Sequence, residues 1–419
     1  MNEIMKNLKD EASMNSLSKD LMQMKDEMEK ELKSILDFWS NEVFDQKTKR
    51  FVGKIDHYGK KYLDAPVGCV MMSRMLWSFS AAYKFTGYKP YRDMANEVYQ
   101  FLIDAFWDQQ YGALFWEVDD KGRAIDQRKQ AYAQGFGILA LSEYYSAVKN
   151  KQALDFAMRL YQLLEKEFYD ELHGGYIEAL DRKWQPVADL RLSSKEANDP
   201  KTMNTHLHIL EPYTNLYKVW PVEKLKISIE KLINVFLQKI IDPDSGHFNL
   251  FFDLKWHVKS SVISFGHDIE GAWLLHEAVQ VTANKTLLNA IRKASLALVE
   301  LTIKEGMADD SSIFNESENK VLDRDKHWWP QAEAMVGLID AWEIDKKTEY
   351  LVHLQKIWGF IKKHLIDDAH GEWFWRVDGS GNVITTEDKA GFWKCPYHNS
   401  RALMEVIRRI DKRVIKELI

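Results

Sequence analysis

One turn recurs along this chain at intervals that leave room for two helices between copies, and few folds accept such a pattern. It reads Phe-Trp-Asp-Gln-Gln-Tyr-Gly-Ala-Leu-Phe-Trp at 106–116, Phe-Tyr-Asp-Glu-Leu-His-Gly-Gly-Tyr at 168–176, Ile-Asp-Pro-Asp-Ser-Gly-His-Phe at 241–248 and Ile-Asp-Asp-Ala-His-Gly-Glu-Trp-Phe-Trp at 366–375. The glycines Gly112, Gly174, Gly246 and Gly371 stand 62, 72 and 125 residues apart. The last interval holds a degenerate copy around 306–314, and another precedes the first at 43–53, which makes six units. An acidic Gly turn followed by alternating aromatics suits a short hairpin. The segments between are helical by periodicity. A unit of this length cannot bury its own apolar face, so units stack or close into a ring. The segments after the hairpins are more apolar than their amphipathic partners, as an inner and an outer ring require. The expected fold is therefore all-α: an (α/α)6 barrel of about twelve helices with short β-hairpins between units. Inner helices are expected to start near 68, 129, 201, 266, 327 and 395, and outer ones near 25, 89, 151, 222, 285 and 348.

Composition narrows the partners. A net charge of -6 argues against a nucleic-acid partner. Nothing approaches 18 uninterrupted apolar residues, so no membrane span is expected. The charge-mixed first 33 residues do not read as an export signal. Cys69 and Cys395 are too few for a disulfide framework and fit a reducing cytoplasm. Residues 1–24 read as a flexible or helical extension, and 25–419 as a single catalytic domain.

The chemistry is expected where inner helices begin. Each candidate carries polar or titratable groups within about two turns of its start: Arg74; Tyr132 and Gln134; Asn204, His206 and His208; His267, Glu270 and Trp273; Trp328, Trp329 and Glu333; Trp393, Tyr397, His398 and Arg401. Six such sets at one level point to a shared pocket. Within 264–273, His267, Glu270 and Gly271 share a helix face, with Gly271 leaving space beside the imidazole; a satisfied core histidine is the plain alternative. His208, His267 and His398 fall at one depth on three inner helices, which favours acid/base chemistry near neutral pH, with Arg74 to stabilise developing negative charge. Arg74 paired to Glu270 or Glu333 is its structural alternative. Trp273, Trp329 and Trp393 offer flat faces to a sugar. No metal site is expected, because His206 and His208 point about 200° apart on a helix and no H-E-x-x-H is present. Glu270 and Glu333 as the carboxylate pair of a glycoside hydrolase form the rival reading.

Five ordered stretches resemble the N-acylglucosamine 2-epimerase superfamily: Ser-Arg-Met-Leu-Trp-Ser-Phe-Ser-Ala-Ala-Tyr (73–83), Lys-Thr-Met-Asn-Thr-His-Leu-His (201–208), Ser-Phe-Gly-His-Asp-Ile-Glu (264–270), Trp-Trp-Pro-Gln-Ala-Glu (328–333) and Trp-Lys-Cys-Pro-Tyr-His-Asn (393–399). The last looks most like the disaccharide branch, the cellobiose 2-epimerases. The resemblance implies an (α/α)6 barrel without metal or redox cofactor. It also implies interconversion of glucose and mannose at the reducing end of β-1,4-linked disaccharides such as cellobiose and lactose, through ring opening and a cis-enediol. His267 and His398 match the catalytic histidines, and Arg74 and His208 the groups that hold substrate oxygens. Tyr132, Asn204, Glu270, Trp329, Glu333 and Trp393 match further pocket residues. A monosaccharide or N-acylglucosamine epimerase, or an aldose-ketose isomerase, is the alternative within the family. The assembly expected is a monomer or weak homodimer.

Overall fold

The structure, a computed structural model, describes the backbone of residues 2–45, 47–193 and 196–411, and side chains from residue 17 onward. Twelve α-helices make up the described chain. Inner helices α2 (Cys69–Thr86), α4 (Ala131–Val148), α6 (Met203–Val219), α8 (Phe265–Thr282), α10 (Trp328–Asp345) and α12 (Tyr397–Arg409) alternate with outer helices. The outer set is α1 (Asn2–Asn41), α3 (Lys89–Phe101), α5 (Lys151–Leu163), α7 (Glu223–Val235), α9 (Lys285–Leu301) and α11 (Thr348–His364). Inner starts fall within two residues of expectation. The first outer helix differs: it is one continuous α1 from Asn2, so the start expected near 25 lies inside it.

Burial explains the two rings. The outer helices bury one stripe in a common register: Tyr91, Met94, Ala95, Val98 and Tyr99 in α3, matched by Ala153, Phe156, Ala157, Leu160 and Tyr161 in α5. That is the i, i+3, i+4, i+7 face of an amphipathic helix. Inner helices are covered all round; α4 is buried without a break from Ala131 to Tyr144.

Short antiparallel pairs close the ring. The strand entering each inner helix pairs with the strand leaving the next outer helix, as in Val67 with Val118, Lys129 with Leu180, Lys201 with Phe252 and Lys326 with Val377. Ile55 bridges Ala390, joining the first unit to the last. The recurring glycines Gly112, Gly174, Gly246 and Gly371 adopt φ of +77°, +73°, +81° and +74°, which side chains disfavour. Their turns close when the glycine N–H donates to the carbonyl of Asp108, Asp170, Asp242 and Asp367.

Buried lysines lock three of these turns. Lys129 meets Asp108, Lys201 meets Asp170 and Lys389 meets Asp367, at 3.3, 2.7 and 2.5 Å. Lys201 Nζ also donates to the carbonyls of Gly174 and Leu254, at 2.7 and 2.8 Å, so all three of its protons are used. Removing the ammonium takes the charge partner from a partly buried Asp170, which keeps only the Leu172 and His173 donors. Lys201→Met should therefore lower unfolding free energy by about 3 kcal/mol, read from urea melts; a loss under about 0.5 kcal/mol would show the pair to be ornamental.

Candidate active site

The inner helices present their side chains in a fixed register. Their second and sixth residues point into the barrel: Tyr132 and Phe136 on α4, Asn204 and His208 on α6, Glu270 on α8, Trp329 and Glu333 on α10, with Arg74 on α2 and His398 on α12. The fourth residues do something else. Gln134 accepts from Leu114 N at 2.8 Å and donates to Leu114 O at 3.0 Å, and Gln331 treats Ile313 the same way. His206 Nε2 accepts from Tyr176 N at 2.9 Å, and Asp268 accepts from Phe248 N. Each clamps the strand after a repeat turn, so Gln134 and His206 belong to the scaffold rather than to the expected pocket.

At the floor of the barrel lies Arg401 of α12. Its Nη2 donates to Glu270 Oε1 at 2.8 Å and Glu333 Oε1 at 2.6 Å, and its Nη1 reaches Glu211 Oε1 and the Tyr397 hydroxyl. Trp273 supports the cluster from behind: its Nε1 donates to Glu333 Oε2 at 3.1 Å, and the guanidinium stands 4.8 Å from its ring. Burial, then the neighbouring Glu333 charge, push Glu270 well above the carboxylate range; burial also raises Glu333 against the pull of Arg401. A carboxylate pair sharing one guanidinium nitrogen is not arranged for glycoside hydrolysis, where a sugar must lie between carboxyls ~5–9.5 Å apart. Here Arg401 fills that space. The structural alternative for Arg74, a pair with Glu270 or Glu333, is not what forms: it donates to the Tyr132 hydroxyl at 2.8 Å and lies over the rings of Phe136 and Tyr397 at 4.3 and 5.1 Å. Among the described residues it pairs with no carboxylate, and its buried Nε has no protein acceptor.

The histidines stand above this floor. His398 Nδ1 lies 2.6 Å from Glu333 Oε1. His267 Nδ1 lies 2.8 Å from Ser264 Oγ. The Trp329 ring stands 4.7 Å from the His267 ring and 5.8 Å from that of His398, so one indole touches both. His208 packs on Tyr132 and Phe136 at 5.1 and 4.9 Å. Trp393 stands 6.0 Å from Tyr132 and accepts from Arg74 through its carbonyl at 3.4 Å. Asn204, His267, Trp329 and Trp393 keep partial exposure and form the mouth, while Glu270, Glu333, His208 and Arg401 are buried. Ten of the eleven expected site residues are thus joined into one cluster, and Asn204 stands one turn before His208 on α6.

One local expectation fails. Gly271 leaves no space beside His267; a Cβ there would meet the Phe248 ring at 2.2 Å, because the residue faces the outer layer. Motif reading also missed Glu211, which sits a turn deeper than the helix starts and beside Pro212.

Burial, with His208 nearby, depresses His267 to about 3. Burial and the arginines hold His398 well below its usual value, and burial lowers His208. All three are neutral at pH 7, the form that can take a proton. A histidine protonated more readily unfolded (pKa ~6.5) than folded leaves stability whole above that value and erodes it as pH falls toward about 3. The fall of Tm between about pH 6.5 and 5 should be shallower in His267→Gln than in the unaltered protein; equal slopes would mean that His267 is not held neutral.

The comparisons agree with this geometry. The N-acylglucosamine 2-epimerase (GlcNAc 2-epimerase) family model matches residues 51–402. A cellobiose 2-epimerase of Bacteroides fragilis is 43% identical over 387 residues, covering 92% of this chain and 98% of that protein. One of Dictyoglomus turgidum is 37% identical, covering 93% of this chain and 100% of its own. The solved cellobiose 2-epimerase of Bacillus thermoamylovorans superposes with a TM-score of 0.89 at 39% identity, over 92% of this chain and 99% of that one. With its (α/α)6 ring and five inward-facing motifs, the chain belongs to the N-acylglucosamine 2-epimerase family.

Proposed function

We propose that the protein is a carbohydrate 2-epimerase that interconverts glucose and mannose at the reducing end of β-1,4-linked disaccharides such as cellobiose and lactose. The observation that carries the reading is the pair of imidazoles, His267 and His398, packed against one indole ring, with Arg74 as a buried cation that pairs with no carboxylate among the described residues. The similarity to cellobiose 2-epimerases over nine-tenths of the chain selects the disaccharide branch.

Each step has an agent. The sugar ring opens by a proton transfer for which His398 is placed, its Nδ1 anchored on Glu333 so that Nε2 is free to work. One imidazole then takes the proton from C2. The C–H electron pair becomes the C1–C2 double bond, and the carbonyl electrons move onto O1, where Arg74 offsets the charge while His208 holds a substrate oxygen. Return of a proton to the opposite face of C2 gives the epimer. Two bases on different helices suit that inversion better than one. Tyr132 and Asn204 orient hydroxyls, while Trp329 and Trp393 stack on the sugar faces. The same reading takes residues 25–419 as one catalytic domain, supported by the closure of Ile55 on Ala390. Two buried free cysteines, Cys69 and Cys395, support a cytoplasmic setting.

Metal independence is part of the proposal. Ligand-type atoms of Glu270, Glu333 and His398 lie within 4.8 Å of one another, but the Arg401 guanidinium already occupies the cation position between the carboxylates. Activity should survive exhaustive EDTA dialysis; loss restored by a divalent ion would refute this.

The deciding experiment is incubation with cellobiose in deuterated water. Epimerisation with deuterium at C2 is expected, whereas glucose release would point to hydrolysis and a ketose alone to an isomerase. Each general acid/base contributes ~10²–10⁴-fold, so His267→Ala and His398→Ala should each be essentially inactive in that assay. An active variant at either position would remove that histidine from the mechanism.

A further inference from the structure

His208 enters the proposed reaction as an oxygen-holding group, and its two ring nitrogens are not equivalent. Nδ1 lies 3.2 Å from Oε2 of Glu211, three residues on and 6% exposed. The other oxygen of that carboxylate is held from across the barrel, where the Tyr397 hydroxyl and Arg401 Nη1 of α12 both donate to Oε1.

The backbone is built around this pair. Pro212 has no N–H for the carbonyl four residues back, which is that of His208. Accordingly α6 leaves helical geometry at His208, with φ -87° and ψ 15°. The displaced carbonyl rests against Gly135 of α4, where a Cβ would come within 2.2 Å of it. Kink and glycine together set where the imidazole stands.

The chemistry then follows from the carboxylate. Burial alone would raise Glu211, but Arg401, His208 and Tyr397 outweigh it and hold the group at about 2. An ionised carboxylate only accepts hydrogen bonds. Nδ1 of His208 must therefore carry a proton, and Nε2 keeps the lone pair. That atom faces the interior 4.0 Å from Glu270 Oε2, beyond hydrogen-bond reach. Glu270 Oε2 and Asn204 Oδ1, both buried, have no hydrogen-bond partner within the protein.

We propose that Glu211 is a positioning residue of the epimerase reaction: it holds His208 in the Nδ1–H form, so that Nε2 receives a hydroxyl proton of the sugar while the carboxylate offsets the imidazolium charge. In that step the sugar O–H bond breaks, its electron pair stays on oxygen, and an N–H bond forms at Nε2. The step reverses when the oxygen is reprotonated. The assignment rests on the function proposed above.

The test is Glu211→Gln. Two donors demand an oxygen where Oε1 stands, so the amide must turn its NH2 group toward His208 and reverse the tautomer. Two-bond ¹⁵N–¹H correlation of the imidazoles, with His208 assigned by His208→Gln, should show Nδ1–H in the unaltered protein and Nε2–H in the variant. The kcat on cellobiose should fall by about 100-fold or more, with KM changed by less than about 3-fold. An Nε2–H form in the unaltered protein overturns the proposal, as does a variant that keeps its kcat within about 3-fold or one that loses kcat without reversing the tautomer. Should the variant fail to fold, the tautomer of the unaltered protein decides alone. Failure of the unaltered protein to epimerise cellobiose would instead refute the function, a separate readout.

Discussion

One guanidinium holds the interior of this barrel together. Arg401 reaches from α12 to carboxylates on α6, α8 and α10, and so ties four of the six inner helices at the axis. Three buried carboxylates around an empty centre would repel one another and each lose its hydration. With Arg401 between them they become an ordered base for the groups above. The arrangement leaves Arg74, a second buried guanidinium, without an acidic partner among the described residues.

The scaffold supplies the precision. Clamps at the fourth position of the inner helices, buried Lys–Asp pairs and glycine turns fix where each inner helix begins. Once those starts are level, residues at the second and sixth positions meet at one height, as the 3.6-residue repeat requires. His267, Trp329 and His398 are neighbours for this reason, although far apart in the chain. Function depends on the outer layer through helix phase rather than through contact.

Much of this was legible in the linear chain, and the exceptions have physical causes. The acidic glycine turns disclosed six units because a positive φ leaves a mark in residue type. Inner and outer helices were separable because exposure on one face leaves a stripe. What could not be read was phase within the first turns. Gln134 and His206 are polar and correctly placed along the helix axis, yet they lie on the side facing the hairpins. Aligning each on its preceding turn would have revealed a shared fourth position. Glu270 shares a helix face with His267, whereas the side chain that claims it comes from 131 residues away. Glu211 carried one usable signal, a buried-helix carboxylate next to a proline, and no motif contained it.

The ring closes late in the chain, and that has a consequence for how the protein comes into being. Ile55 can bridge Ala390 only after the chain between them has been made, and α12, which brings both His398 and Arg401, follows the other eleven described helices. During synthesis five inner helices can assemble with Glu211, Glu270 and Glu333 still lacking their shared counter-charge. An unfinished barrel must keep that centre wet or protonated. α12 therefore brings His398 and the counter-charge shared by the three carboxylates in one step.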